Sequence, residues 1–351
     1  MFTTRWLTLA CIVFGFSCRD LQADDTLGSQ MAQAAQKFLS SLSNDQRLKV
    51  CFPFEDPERF RFAFVPLEDN QHRSTRKGLP LSDMTDAQRQ AALDLVRLAV
   101  SPSGFQQVQM VFELEAMLDQ FEKPKRFTRN PGWYFVSVFG EPGNKGTWGW
   151  RIDGHHLSLN LTLRDGAILS ATPAFFGANP AEIQIGDKKG YRTLADAEDP
   201  ALALFVALDE NQRRRAFQPK HFPEPTQFVP AEKVTEPIGL AVADMTSAQK
   251  TLLEKLIRNY LQRLAPPIAE QEWQQIVASG FDRVHFAFSG GTKQGESRTY
   301  RVQGPHFVII FLNTQTDVHG NPANHIHSIY RTLPRDFGLE LLERNPGSSP
   351  N

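Results

Sequence analysis

Cysteine is scarce in this sequence: the 351 residues hold three. Two of them, Cys11 and Cys18, fall in an apolar N-terminal segment, so Cys51 stands alone in the rest of the chain. An internal disulfide and a C-x-x-C metal or redox site are thereby excluded. The neighbours Val50, Phe52 and Phe54 predict a buried, inert thiol. Charge of one sign is lacking too. Lys plus Arg number 38 against 39 Asp plus Glu, with no basic run longer than Arg213-Arg214-Arg215, which excludes a nucleic-acid partner. No apolar run is long enough to span a bilayer, so no transmembrane anchor is expected in the mature chain. There is also no G-x-S-x-G elbow, no P-loop and no H-E-x-x-H, which removes the common serine-hydrolase, nucleotide and zincin chemistries.

What is present begins with an address. Arg5 precedes an apolar stretch over 6–17, and a cut after Ala23 makes 1–23 a signal peptide, with export to a periplasmic or extracellular location. A lipoprotein signal at Cys18 fits less well, because Phe16 puts bulk next to the cut. At the other end, residues 343–351 read as a disordered tail. The 41% hydrophobic content between them is ample for a large core.

The chain then repeats itself. Ser43-Asn44-Asp45-Gln46-Arg47 parallels Asp209-Glu210-Asn211-Gln212-Arg213, and Gly78-Leu79 through Asp83-Met84-Thr85 parallels Gly239-Leu240 through Asp244-Met245-Thr246. A third block, Trp150-Arg151-Ile152-Asp153-Gly154-His155-His156, parallels Tyr300-Arg301-Val302-Gln303-Gly304-Pro305-His306. Three blocks in one order with slowly drifting spacing are what duplication produces. Ser43, Asp209, Thr85 and Thr246 read as helix N-caps, and each unit ends in a meander of alternating strands: 133–139, a turn, then extended chain over 148–163 in the first unit, and 284–289 followed by 299–312 in the second. Helices and strands are segregated along the chain, which predicts an α+β fold rather than a doubly wound parallel sheet. The expected organisation is two divergent copies, 24–171 and 199–342, packed about a pseudo-twofold axis as two lobes, with 172–198 as the connecting loop.

Two histidine clusters carry the candidate chemistry. On the extended segment after Gly154, Leu157, Leu159 and Leu161 share one face while His156, Ser158 and Asn160 share the other, and a bulge at Gly154 would re-aim His155. In Asn324-His325-Ile326-His327, two histidines two residues apart project to one side of a strand and can grip one metal. If the two units pack together, His155, His156, His325 and His327 supply ligands for a divalent transition metal such as zinc, or acid/base groups. Glu113 and Glu115, on the preceding helix, are the nearest acidic candidates, and Glu115 is assigned a catalytic role. Asn160, Asn313 and Gln315 are expected to orient substrate. Arg151 and Arg331 suit an anionic group, although Arg151 has a counterpart in Arg301 and also fits a structural salt bridge. Asp336 is a further catalytic candidate, and alternatively a partner for His327. The bland alternative is that these histidines merely pack a strand or face solvent.

Four blocks resemble the DUF3500 family: Gly78-Leu79-Pro80-Leu81-Ser82-Asp83-Met84, the Trp148-to-Asn160 strand, Thr172-Pro173-Ala174-Phe175-Phe176-Gly177-Ala178-Asn179-Pro180-Ala181, and Asn324-His325-Ile326-His327-Ser328-Ile329-Tyr330-Arg331 with Asp336-Phe337-Gly338. The resemblance covers about 32–342 and implies that the Gly-His-His, Pro-Phe-Phe-Gly-Ala-Asn-Pro and His-Ile-His blocks are the family's hallmarks. It implies no activity. One departure is the stretch Val318-His319-Gly320-Asn321-Pro322, which lengthens the loop between Asn313 and Asn324. Taken together, the residues lead to an exported, metal-dependent hydrolytic enzyme acting on a small molecule at one composite site between the repeats. The rivals are a module that binds a small ligand or metal without turnover, and a structural protein without a site.

Overall fold

The structure is a computed structural model and describes residues 26–123, 126–230, 235–333 and 335–339. The expected leader over 1–23 and tail over 343–351 lie outside the described residues. In chain order the first half contains α1 (Leu27–Ser40), α2 (Asn44–Val50), β1 (Cys51–Phe52), β2 (Leu79–Pro80), α3 (Asp86–Ala99), α4 (Pro102–Phe121), β3 (Phe135–Phe139), β4 (Thr147–Gly154), β5 (Leu157–Arg164), β6 (Ala167–Ser170) and β7 (Ala174–Ala178). The second half contains α5 (Ala195–Val206), α6 (Glu210–Ala216), β8 (Leu240–Ala241), α7 (Ser247–Leu261), α8 (Pro266–Ala278), β9 (His285–Gly290), β10 (Arg298–Gln303), β11 (Phe307–Asn313) and β12 (Ile326–Thr332). The fold is α+β.

Local chemistry sets the helix starts. Ser43, Thr85, Asp209 and Thr246 each accept from the backbone three residues on, while Gln46, Gln88, Gln212 and Gln249 reach back to the cap, so all four ends are reciprocal capping boxes. The glutamines do a second job. Gln46 and Gln88 bond each other and the carbonyls of Asp83 and Ser41, and Gln212 and Gln249 do the same with Asp244 and Ala207. Each pair ties a short helix to a long one through amides that would otherwise be buried unpaired.

The strands form one twelve-stranded sheet in the order β1-β3-β4-β5-β7-β12-β11-β10-β9-β8, with β2 on β3 and β6 on β5. All pairs are antiparallel except β1 with β3. This corrects the expectation of two lobes: β7 and β12 pair directly, so the halves share a sheet. It also corrects the connecting loop. Ala174-Phe175-Phe176-Gly177-Ala178 within 172–198 is a central strand, and α5 begins at Ala195. Its short apolar run is bracketed by Pro173 and Pro180, which gives it the punctuation of a loop. The extended segments 148–163 and 299–312 each split into two strands, because the chain turns back at His155-His156 and at Pro305-His306.

Alternation gives the sheet two different faces. Trp148, Trp150 and Ile152 of β4, Leu157 to Leu163 of β5 at every second residue, Phe176 of β7, and Ile309 and Phe311 of β11 pack with the helices into the main core. On the other face Phe175, Val308, Ile310, Leu312 and Ile329 meet Phe62, Phe64 and Phe337, which come from irregular segments crossing the sheet. Arg76 fastens one of these segments: it bonds the carbonyls of Ala63 and Val65 and pairs with Asp153 at 2.5 Å. The same alternation overturns the expectation for Cys51, which is exposed between buried Val50 and half-buried Phe52.

Candidate metal centre

Three strands of the loop-covered face meet at one end of the sheet, where β5 and β12 begin and β7 finishes. The β4–β5 connection is only His155-His156, and His156 sits in the left-handed region at φ 63°. That conformation is uncommon for a residue with a Cβ, and it is held from both sides. The His156 N–H donates to Phe64 O at 2.9 Å, and Gly177 N–H donates to His156 O at 2.8 Å. The turn thereby throws the His156 imidazole over β7 at Gly177, whose register partner across the next ladder is His327. A Cβ on Gly177 would stand 2.7 Å from His156 Cδ2 and 3.0 Å from Ile326 O, so only glycine leaves the ring its place. Phe64, stacked on Phe175 at 4.0 Å, lies edge-on to His327 and walls the cluster.

The imidazoles of His156, His325 and His327 converge. Nε2 of His156 is 2.8 Å from Nε2 of His325 and 3.3 Å from Nε2 of His327, and one nitrogen from each ring falls within 4.8 Å of the others. Burial sets their charge. His156 is 3% exposed and is held well below the ordinary histidine pKa, first by desolvation and then by its neighbours His155, His325 and His327. His325 is likewise held well below it, by burial and then by His327. Neutral rings expose lone pairs, which is the form a metal binds.

The donor set fits a divalent metal of the zinc class. Nitrogens around a tetrahedral zinc bound at ~2.0–2.1 Å stand ~3.3 Å apart, the separation of His156 from His327; the His156–His325 pair would open by ~0.5 Å. The outer contacts agree. His327 Nδ1 donates to Glu224 Oε2 at 2.7 Å, which fixes its proton there and turns the Nε2 lone pair inward. Gln315 Nε2 donates to the other Glu224 oxygen at 2.9 Å, and the His325 N–H donates to Asn313 Oδ1 at 3.1 Å.

His155, expected as a fourth ligand, lies beside the triad instead. Its ring stacks on His156 at 3.8 Å while Nδ1 donates to Glu115 Oε2 at 2.5 Å. Arg129 stands 3.1 Å from the same nitrogen and is itself gripped by Glu122 through two bonds. Its burial holds the His155 pKa below the ordinary value against the opposing pull of Glu115. Glu113 points the other way, to Lys188 on the surface.

The remaining candidates fall elsewhere. Arg331 pairs with Asp336 at 2.5 Å, and Asp336 also accepts from the backbone of Thr332, so this pair braces the end of β12 and His327 takes Glu224 instead. Arg331 is four residues past His327 on one strand, which puts its Cα ~13 Å from that of His327. Arg151 is bound to Glu58 at 2.8 Å and to Asp153 at 3.3 Å, a structural bridge that its counterpart Arg301 does not share: among the described residues Arg301 has no ion-pair partner and lies over the Phe222 ring. Asn160 is buried and donates to Pro173 O and Ser158 Oγ. The lengthened loop does not disturb Asn313 or Gln315, because Asp317 ties it down through His319, Asn321 and Asn324.

Sequence reasoning missed Glu224, Arg129, Glu122 and Phe64. Glu224 stands in Pro223-Glu224-Pro225, far along the chain from every histidine, and no spacing rule connects it to them. Gly177 had a signal, since it lies inside a hallmark block. A family model described as "Protein of unknown function (DUF3500)" matches residues 24–339. No curated protein and no solved structure matches the chain.

Proposed function

The chain belongs to the DUF3500 family, and we propose that it is a divalent-metal enzyme of hydrolytic type, its metal held by His156, His325 and His327. The observation that carries this reading is the convergence of three imidazole nitrogens, one ring backed by a carboxylate. Three protein ligands leave a position open for water or substrate, the arrangement of catalytic rather than structural zinc sites. A metal there supplies Lewis acidity near neutral pH. The protein's own part is local. Glu224 and Gln315 orient His327, Asn313 anchors the His325 backbone, and the Glu115–His155 pair offers a proton acceptor stacked against the cluster. Arg331, Asp336, Arg151 and Asn160 keep the structural partners described above, and the substrate-facing role moves to Asn313 and Gln315.

The site belongs, on this reading, to a duplicated exported protein whose copies are related by a two-fold axis between β7 and β12, the first copy running past 171 to include β7. The palindromic strand order and the matched Gln46–Gln88 and Gln212–Gln249 pairs support the duplication. The apolar segment over 6–17 supports export. A composite site follows, since one copy gives His156 and the other His325 and His327.

Metal analysis of protein purified under zinc- and manganese-replete conditions tests the centre. One equivalent in the wild type and a loss of most of it in a His325→Ala/His327→Ala double variant are expected; metal-free wild type would sink it. A panel of ester, amide and phosphoester substrates then tests turnover. The deep burial of His156 and His327, 3% and 6% exposed, favours a second reading, a module that holds the metal without turnover. Metal without activity on the panel would select it.

A further inference from the structure

We infer that the large cavity on the helix-covered side of the sheet end binds a neutral, hydroxyl-rich ligand of the carbohydrate or polyol class. The cavity measures about 560 Å³, within the roughly 300–1,000 Å³ of small-ligand sites. It backs onto the histidine cluster without including it: Asn313, in its wall, accepts from the backbone N–H of His325 with Oδ1 and donates to Glu198 with Nδ2 at 3.0 Å. The inference does not depend on the metal.

The lining states the ligand's chemistry. Arg192 and Arg298 face Glu182, Glu198 and Asp199, so two cations meet three carboxylates. Arg192 is committed to Glu198 and Asp199 at 2.8 and 2.6 Å, and Arg298 stands 3.6 Å from Glu198. Among the described residues no lining cation is left over to neutralise a phosphate or sulfate, and the third carboxylate repels one. Among the described residues no aromatic ring lines the cavity, which gives a nucleobase nothing to stack on. What remains is an alternation of donors and acceptors, the amides of Gln184 and Gln294 among carboxylate oxygens. A hydroxyl is both donor and acceptor, so a polyol can satisfy such a wall without bringing charge. Arg298, Glu198 and Asn313 are at least nine-tenths buried, at 5%, 7% and 4% exposed. Buried ion pairs add little to stability, and their retention along one wall of a cavity suits recognition.

The test is titration of wild-type protein with glucose, galactose, xylose, cellotetraose and glycerol, against glucose 6-phosphate, followed by calorimetry and by ligand-observed NMR. Saturable binding of at least one neutral probe, weakened about tenfold or more in Asp199→Asn and in Gln294→Ala, is expected. Both side chains are exposed, and thermal unfolding of each variant checks that the fold is kept. Glucose 6-phosphate binding as tightly as glucose would overturn the charge argument. Absence of saturable binding for every neutral probe at millimolar concentration, or binding untouched by both substitutions, would overturn the site.

Discussion

The two hairpins that end in Gly-x-His invite comparison. Both connect long antiparallel strands through a short turn, His155-His156 between β4 and β5 and Gly304-Pro305-His306 between β10 and β11. In both turns the second carbonyl accepts from a neighbouring segment, His156 O from Gly177 N–H and His306 O from Leu333 N–H. Yet His156 is buried in a triad and His306 is exposed. The difference lies in what faces each turn: glycine and an oncoming His-x-His at one end, Leu333 at the other. A histidine in the turn is therefore not the site; the vacancy across the ladder makes it one.

The sharpest way to break this contrast is Gly177→Val. Its side chain collides with the His156 ring, so metal stoichiometry falls to near zero, and overpacking costs about 1–3 kcal/mol in urea denaturation. Unchanged metal content would show that the cluster does not depend on the ring lying over β7. Removing the outer carboxylate is gentler. Glu224→Ala lowers zinc affinity about 10–100-fold in competition with a chelating dye while leaving the fold intact, because Glu224 orients His327 from a half-exposed loop. The next effect concerns pH. His156 and His325 are held below the histidine value of the unfolded chain, ~6.5, so above that pH neither state gains protons; as pH falls through it, the unfolded chain takes up protons that the fold refuses. Metal-stripped protein should lose stability between pH 7.5 and 5.5 at up to about 1.4 kcal/mol per pH unit for each histidine. A flat profile by urea unfolding would contradict the depressed pKa values of His156 and His325. Smallest of all, His306→Ala should leave metal content unchanged and shift stability by less than about 0.5 kcal/mol.

Much of this was legible where local chemistry decides it. Ser43 and Thr85 cap their helices because a hydroxyl with Gln three residues later has few other uses, and the leucines of β5 face the core because a strand has period two. His325 and His327 were paired by the same period. The rest depends on contacts between distant segments. His155 and His156 are adjacent in sequence, but one left-handed residue sends only the second toward the triad. Arg331 and Asp336 read as catalytic polar groups because sequence cannot show that they neutralise each other five residues apart. The strand β7 was hidden by its prolines, and with it the fact that two halves share a single sheet.

That shared sheet has one seam between its halves, the β7–β12 ladder, and the triad is sewn across it. His156 and His325 are 169 residues apart in the chain. A cation gripping both closes a loop of nearly half the polypeptide, and loop-closure entropy makes such long ties effective against the unfolded ensemble. Metal removal would then do more than silence a site. It would loosen the stitch that keeps the sheet from opening down its middle, so that stripped protein is cut by protease at the seam-crossing loops before the flanking hairpins are touched.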